Sequence, residues 1–324
     1  MASHVQLTDG RIDSATLGRT LIHEHVLVGM PGWNLDLQAP RFVRAEAMAR
    51  AVDRLQELQS YDCNTIVDPC PMDLGRDVEF VAEVAQRSGA NIVCATGVYN
   101  EAEGIPCTFR TMPRGDILEL YVKEITDGIG DTGIKAGVIK IATGSGRPGD
   151  YERKLIGVAA EASRLTGVPI ISHTDVATHG HEQIDIVESN GGRAECMVVG
   201  HSGDRDDFPY QASLAARNAF VGLDRFGLEF FLSDALRVKN LIELVRAGYR
   251  DRILVSHDHP LCLLGRLGVE LRELAPKSSL THFFQRIVPE LTDRGLDLED
   301  VEKILVDNPR RLFENAAAQP APSH

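Results

Sequence analysis

The chain has 324 residues, 43% of them hydrophobic and 25% charged, a balance ordinary for a globular protein with a large core. Acidic residues outnumber basic ones 47 to 34, and the formal net charge of −13 provides no general field for nucleic-acid phosphates or anionic lipid. The N-terminus Met1-Ala2-Ser3-His4-Val5-Gln6 lacks the apolar stretch of a secretory signal, and no run reaches the roughly 18 apolar residues of a membrane span, so a cytoplasmic protein is expected.

Short runs rich in Val and Ile, bounded by Gly, Pro, Asp or Asn, predict buried parallel strands at 20–28, 65–68, 92–98, 137–142, 168–173, 197–201, 220–223 and 253–256. Between them apolar residues recur at spacings of three and four, predicting helices over 46–58, 78–87, 117–129, 152–165, 182–188, 210–217 and 234–247. Two more follow at 280–294 and 298–311, the first with a kink expected at Pro289. Eight alternations of strand and helix are the pattern of a (β/α)8 TIM barrel; a doubly wound sheet uses the same alternation with fewer strands. No linker interrupts residues 1–314, which are read as one domain, and the small, polar stretch 315–324 is read as a disordered tail. The six cysteines form no C-x-x-C pair and several lie in apolar runs, so they are read as reduced core residues.

The sharpest local feature is Leu21-Ile22-His23-Glu24-His25-Val26. On a regular strand His23 and His25 project to one face and Ile22, Glu24 and Val26 to the other, giving half of a metal site. Further donors end later strands: His173 in Ile170-Ile171-Ser172-His173, His201 in Val198-Val199-Gly200-His201, and Asp258 in Val255-Ser256-His257-Asp258. A TIM barrel gathers the C-terminal ends of its strands at one rim, where active sites lie. Nitrogen and oxygen donors of this kind suit zinc, manganese, iron or cobalt. Lys140 interrupts the apolar strand Gly137-Val138-Ile139-Lys140-Ile141-Ala142. Such a buried lysine is either paired with a carboxylate, for which Asp68 is a candidate, or held as a neutral amine able to take up CO2 as a metal-bridging carbamate.

Together these residues resemble the binuclear centre of the amidohydrolase superfamily. Thr20-Leu21-Ile22-His23-Glu24-His25, Ala136-Gly137-Val138-Ile139-Lys140-Ile141-Ala142, Val199-Gly200-His201-Ser202, Gly222-Leu223-Asp224-Arg225-Phe226-Gly227-Leu228 and Ile253-Leu254-Val255-Ser256-His257-Asp258 resemble the phosphotriesterase family, in particular its lactonase branch. The resemblance runs from about Arg11 to Phe313. It implies that His23, His25 and Asp258 hold the more buried of two divalent ions, zinc first, with cobalt, iron and manganese as alternatives. His173 and His201 would hold the more exposed ion, with carbamylated Lys140 and a hydroxide bridging both. Tyr99 in Ala95-Thr96-Gly97-Val98-Tyr99 matches the lactonase tyrosine beside the metals, and Arg225 matches an arginine that shapes the substrate pocket. The resemblance also implies a homodimer.

The expected reaction is attack of the bridging hydroxide on the carbonyl of an acyl-homoserine, γ- or δ-lactone, with promiscuous action on phosphotriesters. Asp258 would accept the proton and pass it outward through His201 or Asp204. Alternatives on the same centre are an acyclic carboxylesterase, an amidase or carbamate hydrolase, and a true phosphotriesterase; a metal-binding barrel without turnover is a third class. The stretches Asn100-Glu101-Ala102-Glu103-Gly104-Ile105-Pro106 and His259-Pro260-Leu261-Cys262-Leu263-Leu264-Gly265-Arg266-Leu267-Gly268 depart from that branch, and such loops contact the substrate. Four features are set aside. Gly144-Ser145-Gly146-Arg147-Pro148-Gly149 has the spacing of a dinucleotide loop but contains a proline and reads as a βα loop. His179-Gly180-His181 opens a helix, where alternation aligns nothing. His257 and His259 have the opposite strand parity to Asp258, and His259 is read as packed or solvent-facing, with a pocket role as substrate contact or proton relay as the alternative. Trp33, the sole tryptophan, covers the pocket or anchors an interface.

Overall fold

The strands form where β-branched runs are walled by turn residues, as a computed structural model describing residues 3–266 and 278–318 shows. They are β1 (Arg19–Leu21), β2 (Cys63–Asp68), β3 (Asn91–Gly97), β4 (Val138–Thr143), β5 (Ile170–Thr174), β6 (Met197–Val199), β7 (Phe220–Leu223) and β8 (Ile253–Val255). All pair in parallel, each with its neighbour in sequence, from β1 through β8. Helices return the chain between them: α1 (Arg44–Gln59), α2 (Val78–Ser88), α3 (Arg114–Thr126), α4 (Asp150–Thr166), α5 (Gly180–Ser189), α6 (Phe208–Ala216) and α7 (Asp234–Arg246). The side chains of Asp77 and Asp207 accept the Phe80 and Tyr210 N–H groups and so start α2 and α6, while Gly167 stops α4 in the left-handed region. This is the (β/α)8 TIM barrel that the alternation predicts.

Strand parity sorts the interior. Ile22, Val67, Val93, Ala95, Val138, Ile171, Val198, Phe220 and Leu254 pack inside the barrel, and Val5 and Leu7 of a short N-terminal hairpin join them. Two residues further along β4 and β5, the same face carries Lys140 and His173, so a dry apolar plug underlies a polar rim. Gly97 sits opposite Lys140 in the β3–β4 register at φ +118°, where a Cβ would fall 2.2 Å from the Lys140 carbonyl oxygen. Any side chain there would push β3 off β4 next to the lysine.

Three expectations change. The strand predicted at 20–28 is broken: β1 ends at Leu21 and the chain is extended again only at His25–Val28, which pairs in parallel with Pro260–Leu263 beyond β8. Ile22 therefore does not face away from His23; both enter the barrel, because the pleat that would alternate them is interrupted. The kink expected at Pro289 is a wide π-type turn at Phe283–Ile287, and a second precedes Pro309 at Lys303–Asp307. In each case a proline lacking an N–H follows two residues on, and the ladder widens ahead of it. Finally, α8 (Asn308–Ala317) runs into the stretch read as disordered, with Ala316 buried and Asn315 donating to the Glu195 carbonyl; residues 319–324 lie outside the described residues.

Candidate metal centre

The C-terminal rim brings the predicted donors together. Lys140, only 2% exposed, rises from β4 with its Nζ 2.9 Å from His23 Nε2. Asp68 does not pair with it; its carboxylate instead accepts the Val26 and Cys70 N–H groups and lies 3.3 Å from His25 Nδ1. Asp258 Oδ1 is 3.2 Å from His25 Nε2 and 3.7 Å from His23 Nε2, and its Oδ2 is 3.8 Å from His201 Nε2. The His201 ring is centred 4.7 Å from that of His23 and 4.6 Å from that of His173. His201 and Asp258 both take left-handed backbone angles, φ 56° and 53°, which for a residue with a Cβ costs about 1–2 kcal/mol and aims each side chain off the regular strand direction. Gly200 permits this turn, since a Cβ there would lie 2.0 Å from the Ser172 carbonyl oxygen.

Electrostatics leaves most of these groups able to serve as ligands. Asp224, fully buried at the end of β7, lies 2.9 Å from His23 Nδ1 and 3.0 Å from His201 Nδ1, and also accepts the His201 N–H. Two imidazole protons are thereby fixed at Nδ1, leaving both Nε2 lone pairs directed at Asp258. Burial, with Lys140 or Arg225 nearby, pulls His23 down and His201 well below the usual imidazole range; burial also takes His173 to about 4. Burial lowers Lys140 to about 8, close enough to neutrality for a substantial share of free amine. Asp258 is held far below the carboxylate range because Arg225 and the surrounding histidines outweigh its burial. His25 is the exception: the carboxylates of Asp258 and Asp68 outweigh burial and hold its proton, which a cation at Nε2 would displace. His23 and His201 with free Nε2 lone pairs, the Asp258 carboxylate and the Lys140 amine, at separations of 2.9 to 3.8 Å, form a donor set that fits divalent ions.

Arg225 does more than line a pocket. Its Nε donates to Asp258 Oδ2 at 2.8 Å and its Nη1 to Asp204 Oδ2 at 2.6 Å, while Arg237 donates to the other Asp204 oxygen at 3.3 Å. The expected proton path from Asp258 to Asp204 is therefore bridged by a guanidinium, which orients both carboxylates and does not itself release a proton. Phe231 covers the guanidinium, its ring centre 4.4 Å away.

Tyr99 reaches over the rim with its Oη 3.1 Å from His173 Nδ1. It is held from below: Asp73 accepts its N–H at 3.0 Å, and buried Glu152 accepts the N–H groups of both Glu101 and Gly144, joining two rim loops. Burial pushes the Asp73 carboxyl up to about 6. Because the folded chain favours its protonated form, the stability it contributes is complete below pH 3.8 and is lost as pH rises through about 6. Asp73→Asn keeps an acceptor for Tyr99 without that ionisation. It is expected to stabilise the protein by about 1–2 kcal/mol at pH 7.5, a rise of roughly 2–4 °C in Tm, and to leave Tm unchanged at pH 4. Paired thermal melts at the two pH values check this.

The features set aside lie elsewhere. His179 contacts Glu182 and the Ser145 carbonyl, and His181 contacts Ser213, both away from the centre. Residues 144–149 form the loop between β4 and α4. His259 is packed, with Nδ1 2.8 Å from Ser278 Oγ, and the indole of Trp33 lies against Gly29 and Gly75. Of the cysteines Cys107 is exposed, contrary to a core reading of all six, and Cys70 groups with His25 and Asp68. Leu267 and Gly268, in the stretch after Asp258, lie outside the described residues. Asp224 is the functional candidate that sequence reasoning passed over, although a carboxylate ending a barrel strand is the same signal that singled out His173.

The sequence profile of the phosphotriesterase family matches residues 3–313. The chain is 35% identical over 310 residues to an aryldialkylphosphatase of Saccharolobus solfataricus, covering 93% of this chain and 96% of that protein. It is 35% identical over 315 residues to a phosphotriesterase homology protein of Mycobacterium tuberculosis, covering 94% and 96%. Among solved structures it is similar to the organophosphorus hydrolase of Deinococcus radiodurans, with TM-score 0.91, 34% identity and coverage of 97% and 99%. A six-substitution variant of a PTE-like lactonase from the same organism superposes equally well, at TM-score 0.91 and 34% identity, covering 95% and 99%.

Proposed function

The chain belongs to the phosphotriesterase family of binuclear metal hydrolases, and from that premise we propose that it is a lactonase with secondary action on phosphotriesters. The observation that carries the reading is the convergence of His23, His25, Lys140, His173, His201 and Asp258 on one rim, with two Nδ1 protons fixed by Asp224. His23, His25 and Asp258 would hold the more buried ion and His173 and His201 the other, with Lys140, as its carbamate, between them. When bound, two divalent ions, zinc foremost, supply hydroxide at neutral pH and a Lewis acid for a carbonyl or phosphoryl oxygen.

The remaining work falls to side chains. Asp258, kept ionised by Arg225, can accept the proton released as the ester is attacked. Arg225 fixes the direction from which it does so. Tyr99, kept protonated by burial, can donate a hydrogen bond to the ring oxygen of the opening lactone. The tyrosine beside His173, together with the likeness to a PTE-like lactonase, favours a cyclic ester over an acyclic one. The exposed Leu35 and Leu37 of the first βα loop offer an apolar surface suited to the homodimer. No described helix is long and apolar enough to cross a membrane.

The test is kcat/KM across acyl-homoserine lactones, simple γ- and δ-lactones, acyclic aryl esters and an aryl dialkyl phosphate, with enzyme loaded with divalent metal and bicarbonate. Lactones preferred by at least two orders of magnitude are expected. Inert lactones beside rapid phosphotriester or acyclic-ester hydrolysis would overturn the substrate assignment and leave the metal centre standing.

A further inference from the structure

Between β8 and β1 the barrel has no regular ladder among the described residues; only an Ile22 N–H at 3.4 Å from the Val255 carbonyl spans the seam at strand level. Above it the seam closes again through the short parallel ladder of His25–Val28 on Pro260–Leu263, and one buried side chain bridges the stretch between. Glu24, between the two ligand histidines, is fully buried, and its Oε1 accepts the Ser256 hydroxyl at 2.7 Å and the His257 N–H at 2.9 Å. Oε1 also lies 2.7 Å from His257 Nδ1, and Oε2 accepts the His259 N–H at 2.9 Å. The donor at Nδ1 is fixed from the far side, because His257 Nε2 accepts the Phe283 N–H at 3.0 Å and so carries no proton.

These bonds bracket Asp258. The N–H groups on either side of it end on the two oxygens of Glu24, while its own N–H goes to the His23 carbonyl at 3.0 Å and the His25 N–H goes to the His259 carbonyl at 3.1 Å. Asp258 itself sits at φ 53°, a conformation that a residue with a Cβ leaves unless its neighbours are pinned. Resting on the reading of Asp258 as a metal ligand, we infer that Glu24 is its positioning residue. The carboxylate bridges the stretch between the ends of β1 and β8 and the ladder of His25–Val28 on Pro260–Leu263, and holds residues 256–259 in the turn that aims Asp258 between His23, His25 and His201. His257 extends that hold to the wide turn at Phe283–Ile287. The HEH motif then carries three functions, two ligands and the clamp for a third ligand 234 positions away in sequence.

Glu24→Gln keeps the shape but has one acceptor oxygen, so an amide NH2 must face a donor that Glu24 accepts. With Co²⁺ as the probe, the expected result is a 10–100-fold weaker metal affinity by chelator competition. At saturating Co²⁺ kcat is expected to fall about ten-fold with KM within two-fold, since substrate binding does not touch Glu24. A folded Glu24→Gln variant with wild-type metal affinity and kcat, even one with a lowered metal-free Tm, would overturn the inference and leave Glu24 a seam brace alone. Should that variant not fold, Ser256→Ala removes one Glu24 donor and the acceptor of the His23 N–H, and about a three- to ten-fold loss of affinity is expected; unchanged affinity would likewise overturn it. Wild-type protein that binds no Co²⁺ would instead contradict the metalloenzyme reading itself.

Discussion

Lys140→Ala is expected to lower kcat/KM by on the order of 10³-fold, about 4 kcal/mol of transition-state stabilisation, and to reduce bound metal below two ions per chain. Lys140 is buried with its amine 2.9 Å from His23 Nε2, held near neutrality by burial, and without a carboxylate of its own beyond the shared influence of Asp258 and Asp224. A structural lysine in such a place would be salt-bridged, and its loss would show first as instability. Here the order is reversed. Lys140→Met, which refills the volume with an uncharged chain, should melt at or above the wild-type temperature in metal-free form while remaining inactive. Metal analysis by mass spectrometry, run beside kinetics and melts, separates the two roles; full activity in either variant would exclude a carbamate bridge.

The second large effect belongs to Asp224. Its carboxylate holds two rim imidazoles at once, through His23 Nδ1 and through both the Nδ1 and the backbone N–H of His201. In Asp224→Asn the oxygen can stay with His201, but the amide then meets the His23 Nδ1 proton and forces it to Nε2, where it blocks the lone pair a metal needs. Metal affinity and kcat/KM are each expected to fall 10–100-fold, with the loss concentrated on the ion that His23 ligates. Chelator competition measures the first and steady-state kinetics the second. Values within two-fold of wild type for both would show that the ring orientations are set by packing alone.

Much of this site is legible in the chain because two simple rules apply where its strands are regular. On β4 and β5, alternation places Lys140 above Val138 and His173 above Ile171, and the barrel brings both to one rim. The rules fail where the backbone leaves the pleat. Ile22 and His23 are consecutive yet both enter the barrel, because β1 stops at Leu21 and the His23 N–H goes to the Ser256 hydroxyl rather than along a ladder. His201 and Asp258 are aimed by left-handed turns that no periodicity encodes. Glu24 reads as the outward member of an alternating triplet and instead takes four buried hydrogen bonds, since its donors lie on residues 256–259, just past β8 and more than 230 positions away. Arg225 is readable as a rim residue, but its bridge between Asp258 and Asp204 depends on where β6 and β8 end in space.

The most direct test of the central claim is a metal titration of the stripped enzyme. Protein dialysed against chelator should be inactive, and addition of Zn²⁺ or Co²⁺ with bicarbonate should restore hydrolysis of its best ester substrate linearly to a plateau at two equivalents per chain. Hydrolysis that survives complete removal of metal, or that reaches its plateau at one equivalent, would contradict a binuclear centre built from His23, His25, Lys140, His173, His201 and Asp258.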